Sequence, residues 1–224
     1  MNAFAQSQPD VTSEPGPEAQ VWLASLVNAE HVVQPFDYWL LQRALPEDVI
    51  EAITELPFAL PDGTVFDGRR ETNNALRVFF SPENQQKFDV CKRVVAAFKS
   101  APVISAIEQT TGTDLSGTRL RIEYCQDAPG FWLEPHTDIA VKKFTMLIYL
   151  SDDPRLQTAG TDIHQGPPDF KYVGSAPYGK GLGVIFIPGR NSWHGVGHHP
   201  IAASRRSIIV NYVGPEWRDA HELA

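Results

Sequence analysis

The chain has 224 residues, of which 42% are hydrophobic and 21% are charged, and its formal net charge at pH 7 is -8. This length and apolar content suffice for one sizeable core, so we expect a single elaborated domain rather than two. A net negative charge does not attract a phosphate backbone, which disfavours nucleic acid as a partner.

The N-terminal half of the sequence predicts a lead-in followed mainly by helices. Residues 1–20 are rich in proline and serine and poor in apolar residues, so we expect a disordered segment with the folded part starting near Val21. Apolar residues at helical spacing, with proline at a helix start, indicate the helices that follow. The predicted elements are a strand over 35–41 and helices over 46–56, 82–100 and 102–111, the last closed by Gly112.

From Thr118 onward the pattern changes to short apolar strands separated by turns rich in glycine and proline. Helices first and short strands afterwards are typical of an α+β domain in which helices cover one sheet. The strand spacing by itself leaves a sandwich and a barrel equally open. The predicted strands cover 118–125, 131–138, 143–151, 162–164, 183–188, 194–196 and 205–213.

Signals for export or disulfide formation are weak. No charged segment followed by an apolar run opens the chain, and the apolar run 184–188 is far shorter than the ~20 residues of a membrane span. Cys91 and Cys125 lack CxxC spacing, which favours buried thiols over a disulfide framework or a zinc site. We therefore expect a cytoplasmic protein with no membrane segment.

Three residues of the strand-rich part have the chemistry of metal ligands. His136 and Asp138 are two residues apart, so both side chains point to the same face of an extended strand. His194 supplies a third ligand from a later strand. Two imidazoles and one carboxylate on one face of an octahedron leave the opposite positions open, as in non-haem Fe(II) oxygenases. These three residues are therefore the predicted catalytic metal site.

The His-x-Asp triplet is a weak motif when taken alone, because a histidine in an apolar run is more often a core or surface residue. The sequence around the triplet decides between the two interpretations. His164, His198 and His199 lack such surroundings and are expected to be non-ligands.

The surroundings of the triplet resemble a known family. Segment 124–138 has Tyr124, Gly130, Leu133, His136 and Asp138 in the order that leads into the metal site of 2-oxoglutarate-dependent oxygenases. Segments 183–188, 191–196 and 205–207 resemble the strand of the second histidine and the Arg-x-Ser strand that follows it. The resemblance is to the prolyl 4-hydroxylase branch of the Fe(II)/2-oxoglutarate oxygenases and covers about residues 118–214.

The resemblance implies a double-stranded β-helix, or jelly-roll, core over about 118–214 that is buttressed by N-terminal helices. This core would lie within a single oxygenase domain over 21–224. The implied metal is Fe(II), with 2-oxoglutarate as co-substrate and dioxygen as oxidant. The expected reaction hydroxylates or desaturates a C–H bond and releases succinate and carbon dioxide, and the retained carboxylate of Asp138 argues against halogenation.

A chelating 2-oxo acid needs a buried cation for its distal carboxylate, and arginine suits this task because its planar fork stays charged when desolvated. Arg205 and Ser207 share one strand face and can act together. Arg206 points the other way, and the Arg-x-Ser register of the family selects Arg205 over it. The resemblance also places Tyr149 and Tyr124 against the co-substrate, whereas a barrel tyrosine with any polar partner is the alternative for each.

The sequence says less about the substrate than about the reaction. Asn211 stands where the nucleic-acid-demethylating branch has a second arginine, which lowers that possibility. Gly160-Thr-Asp-Ile163 departs from the Gly-Gly-x-Leu strand of many prolyl-hydroxylase relatives. Arg77 or Lys143 could pair with an acidic substrate, but a solvated charge or a structural ion pair is the commoner role. We favour a small metabolite or biosynthetic intermediate over a prolyl-type protein side chain, and the sequence predicts no oligomeric state.

Two further classes stay open. A zinc hydrolase could use the same His-Asp-His set around a bound water, but it has no reason to place Arg205 and Ser207 behind the metal. A cupin-like barrel that has lost activity is the other alternative. Arg205 is the residue that discriminates between the oxygenase and the hydrolase.

Overall fold

A computed structural model describes residues 14–60, 66–69 and 77–224. Among these residues, helices come first and most strands later, so the predicted α+β class is confirmed. The helices are α1 (Pro17–Val27), α2 (Glu47–Thr54), α3 (Pro82–Lys87), α4 (Asp89–Lys99) and α5 (Ala101–Thr111). None of the described helices is long and apolar enough to cross a membrane.

The first helix begins inside the segment predicted to be disordered. Pro17 opens α1, and Trp22 is fully buried with its indole N–H donating to the Sδ atom of Met146 at 3.2 Å. Residues 17–20 are therefore helical rather than part of a disordered lead-in. The remainder of that prediction, over 1–13, lies outside the described residues.

The helix predicted over 82–100 is two helices. Phe88 has φ -130° and ψ 112°, an extended conformation that ends α3 and precedes α4. Its ring packs edge-on against Phe58, with the ring centroids 5.5 Å apart. The break is therefore stabilised by a tertiary contact. At the other end of this region, Gly112 ends α5 in the left-handed conformation with φ 71°, as its position predicted.

Eleven strands lie within the described residues, and those from Thr118 onward follow the prediction closely. The short strands β1, β3 and β8 were not predicted. The strands are β1 (Glu30–Val32), β2 (Tyr38–Leu41), β3 (Val78–Phe79), β4 (Arg119–Asp127), β5 (Leu133–His136), β6 (Lys142–Tyr149), β7 (Asp162–His164), β8 (Tyr172–Ser175), β9 (Gly183–Phe186), β10 (His194–Val196) and β11 (Arg205–Val213).

These strands form two antiparallel sheets. The larger sheet has seven strands in the order β1-β2-β9-β6-β11-β4-β3, and the smaller has four in the order β5-β10-β7-β8. Chain neighbours such as β4 and β5 lie in different sheets, so the chain crosses repeatedly between the two.

The buried residues form two clusters on opposite faces of the larger sheet. One cluster lies between this sheet and the helices and includes Ile208 and Val210 of β11. The other lies on the side of the smaller sheet and includes Ile163 and Val196, with Ile209 packed against it. Alternation along β11 therefore turns Arg205, Ser207 and Ile209 towards the space between the two sheets.

Candidate metal centre

The two sheets bring the three predicted metal ligands together. His136 ends β5 and His194 begins β10, and the two residues are directly paired in the antiparallel register. Their ring centroids are 4.4 Å apart. Asp138 lies two residues beyond the end of β5, and one potential ligand atom from each residue lies within 4.8 Å of the others. This geometry is suited to a single metal ion.

Backbone carbonyls orient both imidazoles. The Nδ1 atom of His136 lies 2.9 Å from the carbonyl oxygen of Glu134, and that of His194 lies 2.9 Å from the carbonyl oxygen of Ser192. A carbonyl oxygen can only accept a hydrogen bond, so Nδ1 carries the hydrogen in each neutral ring. Nε2 then has the lone pair that a metal requires, the arrangement found around metal-binding histidines.

Protonation of His194 is strongly disfavoured. Burial and the neighbouring His136 lower the pKa of His194 to about 3, while the Asp138 carboxylate acts in the opposite direction. The ring is therefore neutral at pH 7. A neutral imidazole is the form that binds a metal, so the site does not first have to lose a proton from this residue.

This pKa predicts how the stability of the metal-free protein depends on pH. The unfolded chain takes up a proton at His194 near pH 6.5, and the folded protein does so only near pH 3. Between these values the unfolded state binds more protons, so stability rises with pH. We expect this residue to lower the free energy of unfolding by about 2 kcal/mol on going from pH 7.5 to 5.

Urea unfolding at the two pH values, for the metal-free protein and for His194→Gln, measures this contribution. The variant should lose about 2 kcal/mol less than the unmodified protein over the same interval. An identical pH dependence in the two proteins would contradict the prediction.

Two buried side chains hold the carboxylate of Asp138. The Nζ atom of Lys142 donates to Oδ1 at 2.6 Å, and the Thr145 hydroxyl donates to Oδ2 at 2.7 Å. The amide of Asn211 in turn donates to Oγ1 of Thr145 at 2.9 Å. The Lys142 side chain is only 2% exposed, so its charge is held inside the protein by this ion pair. These contacts fix the carboxylate beside the two histidines.

Sequence reasoning missed Lys142 and Thr145 as parts of this site. The Asp-Lys spacing of four residues was the available signal for Lys142, and Thr145 is marked only by its place on the inner face of β6. Asn211, which was noted for the absence of a second arginine, is fully buried and also accepts from Arg121 at 3.2 Å.

The cation predicted as the co-substrate anchor is buried in the same cavity as the metal ligands. Arg205 donates through Nε to the carbonyl oxygen of Ala159 and through Nη1 to Oδ2 of Asp127, each at 2.7 Å. Its Nη2 atom and the hydroxyl of Ser207 are both buried and find no hydrogen-bond partner among the described residues. A buried donor without a partner is costly, which is the state expected of a site built for an anion.

Tyr149 lies beside this anchor but uses its hydroxyl elsewhere. Its ring centroid is 5.4 Å from the guanidinium carbon of Arg205. The hydroxyl donates to Oγ1 of Thr161 and accepts from the backbone N–H of Thr161, both at 2.9 Å. The structure therefore brings Tyr149 and Arg205 together through a cation–π contact, with the phenol already hydrogen-bonded.

Tyr124 is not brought into the cavity. It belongs to the cluster between the larger sheet and the helices, and its ring centroid is 6.4 Å from that of Phe58. Its neighbours Cys125 and Asp127 line the cavity instead. Because side chains alternate along β4, Tyr124 points to the opposite face, and we leave it out of the proposed site.

The other charged residues and histidines considered in the sequence differ in burial and in their contacts. Arg77 lines the cavity and pairs with Glu123, with 3.3 Å between Nη1 and Oε2. Arg77 therefore belongs to a structural ion pair and is not a solvated surface charge. Lys143 is exposed and donates to the carbonyl oxygen of Ala140 at 3.3 Å. His198 stacks on Tyr172 with ring centroids 3.5 Å apart and lies outside the group of three possible ligands.

Both cysteines are free and buried, as predicted. Cys125 lines the cavity, where burial raises the pKa of its thiol to about 12 against the opposing effect of Arg77. The thiol is therefore protonated at neutral pH, which makes it a poor metal ligand and a poor nucleophile.

No protein-family model matches the sequence, and no curated protein matches it either. Solved structures do share its fold. A prolyl-4-hydroxylase of Pseudomonas putida has a TM-score of 0.54 at 17% identity, with 92% of this chain and 96% of that chain covered. This chain therefore has a fold similar to that of this enzyme.

Two further solved structures share the fold. A prolyl hydroxylase from Trichoplax adhaerens, solved with a hypoxia-inducible-factor peptide, has a TM-score of 0.53 at 14% identity and coverage of 87% and 88%. A non-haem alpha-ketoglutarate-dependent epimerase of nogalamycin biosynthesis has a TM-score of 0.51 at 14% identity and coverage of 88% and 82%. The predicted resemblance to the prolyl 4-hydroxylase branch is thus confirmed at the level of the fold.

Proposed function

We propose that this protein is an Fe(II)- and 2-oxoglutarate-dependent dioxygenase that hydroxylates a C–H bond and releases succinate and carbon dioxide. One observation carries the proposal: a His-Asp-His group shares its cavity with a buried arginine that has an unpartnered donor. A metal hydrolase needs the first feature and has no use for the second. A 2-oxo acid with a distal carboxylate uses both.

The strand order supports a double-stranded β-helix as the frame of this site. Between β4 and β11, the chain visits the larger and smaller sheets in turn, with one hairpin, β7 to β8, within the smaller sheet. The core strands of the larger sheet are then β9, β6, β11 and β4, opposite the order β5-β10-β7-β8. Two facing four-stranded antiparallel sheets with this alternation are the jelly-roll arrangement.

His136, Asp138 and His194 would hold the iron. Their donor set is two imidazole nitrogens and one carboxylate, which suits a divalent iron and would leave coordination positions for a chelating acid and dioxygen. Lys142 and Thr145 hold the carboxylate in place before the metal arrives. Preorganisation of this kind reduces the ordering that accompanies metal binding.

Arg205 and Ser207 would bind the distal carboxylate of 2-oxoglutarate. Asp127 and Ala159 fix the guanidinium through two hydrogen bonds and leave Nη2 for the ligand. The Ser207 hydroxyl, on the same face of β11, would donate a second hydrogen bond. When bound, iron and 2-oxoglutarate would supply the oxidising chemistry with dioxygen as the oxidant, and the protein would position them relative to the substrate.

Apolar side chains surround the polar groups of the cavity. Phe131, Leu133 and Val196 line it on the side of the smaller sheet, and Leu147 and Ile209 on that of the larger. Such a wall excludes water around the reacting carbon and strengthens the ionic contacts within. It presents surface to an apolar or neutral part of a substrate.

The proposed substrate is a small metabolite or biosynthetic intermediate. Among the structures that share the fold, one was solved with a peptide and another is an epimerase of an antibiotic pathway, so the frame accommodates both kinds of partner. Succinate release measured in parallel with small acceptors and with proline-containing peptides separates the two. Turnover confined to peptides would favour the prolyl-type alternative.

The proposal is tested by titrating anaerobic, Fe(II)-loaded protein with 2-oxoglutarate and recording the visible spectrum. Bidentate chelation is expected to produce a weak metal-to-ligand charge-transfer band that saturates at one equivalent of bound acid. Zn(II)-loaded protein is the matched control and should give no band, because zinc has a filled d shell. Bound iron without a band would overturn the co-substrate assignment and favour the hydrolase or an inactive barrel.

A further inference from the structure

Arg77 lies level with Ser207, one of the two residues proposed to bind the distal carboxylate. Val78 of β3 is paired with Tyr124, which places Arg77, the preceding residue, beside Cys125 at the edge of the larger sheet. Cys125 is paired with Ser207, and Ser207 is paired in turn with Tyr149. These four residues form one cross-strand row on the face that is turned towards the smaller sheet.

The guanidinium of Arg77 is held in the cavity. Its side chain is 7% exposed, and Nη1 lies 2.7 Å from Sγ of Cys125 and 3.3 Å from Oε2 of Glu123. The Nε atom is buried and has no hydrogen-bond partner within the described ranges. Arg77 therefore repeats the state of Arg205: an internal carboxylate orients the guanidinium, and one N–H donor is left unmatched.

We propose that Arg77 is a second arginine that binds the distal carboxylate of 2-oxoglutarate, together with Arg205 and Ser207 in the same cavity. This inference rests on the proposed function. Two features favour the co-substrate over the acceptor substrate as the ligand of Arg77. Arg77 shares its cross-strand row with Ser207. The metal ligands lie on β5 and β10 of the other sheet or just beyond it. The orphaned Nε of Arg77 and Nη2 of Arg205 then gain an acceptor in one ligand.

Arg77 also has a structural role that the test must separate from ligand binding. The buried carboxylate of Glu123 pairs with both Arg77 and Arg121. Removing the Arg77 cation would take away one ion-pair partner of this buried carboxylate and would itself destabilise the fold. The variant Arg77→Lys avoids this problem because it keeps the cation near Glu123 but has no Nε–H donor.

The experiment compares 2-oxoglutarate with 2-oxopentanoate, in which a methyl group replaces the distal carboxylate. Both acids are titrated into anaerobic Fe(II)-loaded protein, and their dissociation constants are read from the charge-transfer band. In Arg77→Lys we expect 2-oxoglutarate to bind about ten times more weakly. The binding of 2-oxopentanoate should be unchanged. Arg155→Lys, at an arginine whose side chain is 65% exposed, is the matched control and should alter neither constant.

The outcomes separate the two proposals. If the unmodified protein gives no band, or binds both acids equally well, the proposed function itself fails. If it prefers 2-oxoglutarate and Arg77→Lys keeps the same preference, the proposed function stands and the role of Arg77 is overturned. Equal weakening of both acids in Arg77→Lys overturns it as well, because a loss of that kind reflects a disturbed cavity rather than a lost carboxylate contact.

Discussion

Replacing His194 with alanine is expected to abolish the charge-transfer band of the Fe(II)-2-oxoglutarate protein and to lower Fe(II) affinity by more than about 100-fold. The loss should be this large because even the partners of metal ligands contribute about 10- to 100-fold in affinity. His194 is one of the three possible ligands within the described residues, and the Ser192 carbonyl orients its ring. Equilibrium dialysis against Fe(II) and anaerobic spectroscopy measure the two effects.

The matched control for this variant is His198→Ala. His198 lies four residues along the chain, is exposed, and stacks on Tyr172 outside the group of possible ligands. It should retain both the metal and the band. Retention of tight Fe(II) binding by His194→Ala would place the metal elsewhere, and loss of the band in both variants would point to a general disturbance of β10.

The Arg205→Ala variant is expected to bind 2-oxoglutarate at least about 100-fold more weakly, while its Fe(II) affinity changes little. A hydrogen bond between charged groups in a buried site contributes up to about 3 kcal/mol, and every 1.4 kcal/mol corresponds to a factor of ten. The same variant should lose stability, because Asp127 is left as a buried carboxylate without its cation. Breaking a buried pair on one side costs about 3–5 kcal/mol.

The two effects can be separated within one series. Adding Asp127→Asn to Arg205→Ala removes the uncompensated charge, so most of the lost free energy of unfolding should return. Affinity for 2-oxoglutarate should not return, because the guanidinium is still missing. Thermal unfolding and the anaerobic titration give the two readouts independently of any acceptor substrate.

Arg206→Ala is the control on the adjacent residue. Its backbone pairs with Tyr178, but its side chain lies on the other face of β11 from Arg205. We expect 2-oxoglutarate to bind this variant normally.

If Arg205→Ala instead kept full metal-dependent turnover without 2-oxoglutarate, the protein would be a hydrolase and the resemblance in fold would not extend to the reaction.

Local patterns in the sequence predicted much of the strand-rich region. The strands over 162–164, 194–196 and 205–213 have the predicted bounds, because alternation and flanking turn residues are local signals. The break at Phe88 was not visible in this way. The apolar residues Phe88, Cys91, Val94, Val95 and Phe98 keep a helical period that includes Phe88 itself, and the contact of Phe88 with Phe58, thirty positions away, is not visible in a local pattern.

The candidate site shows the same division between local and long-range information. His136 and Asp138 are recognisable because they lie two residues apart next to a strand, and Arg205 because it precedes Ser207 at the same spacing. Lys142 and Arg77 are ordinary lysine and arginine residues in the sequence. Each is buried because a specific carboxylate, Asp138 or Glu123, faces it in the folded chain. Charge burial of that kind is decided by tertiary pairing.

Tyr124 and Tyr149 show that the alternation of side chains along a strand can differ from the placement that a sequence motif predicts. Both were expected near the co-substrate, but only Tyr149 lies on the inner face. A tyrosine that precedes a metal motif by a fixed number of residues faces inward only when the strand continues unbroken in the right phase. The register of β4 against β11 puts Cys125 rather than Tyr124 on that face.

The two halves of the proposed site belong to different sheets: the histidines to the smaller one and Arg205 to the larger one. A ligand that is chelated at one end and ion-paired at the other would therefore connect the two sheets, whose described strands are hydrogen-bonded only within their own sheet. Occupancy of the site would restrict the separation of the sheets, in addition to the mass-action stabilisation that any bound ligand gives. Backbone amides of β5 and β10 would then exchange with solvent more slowly when metal and acid are both bound than with metal alone.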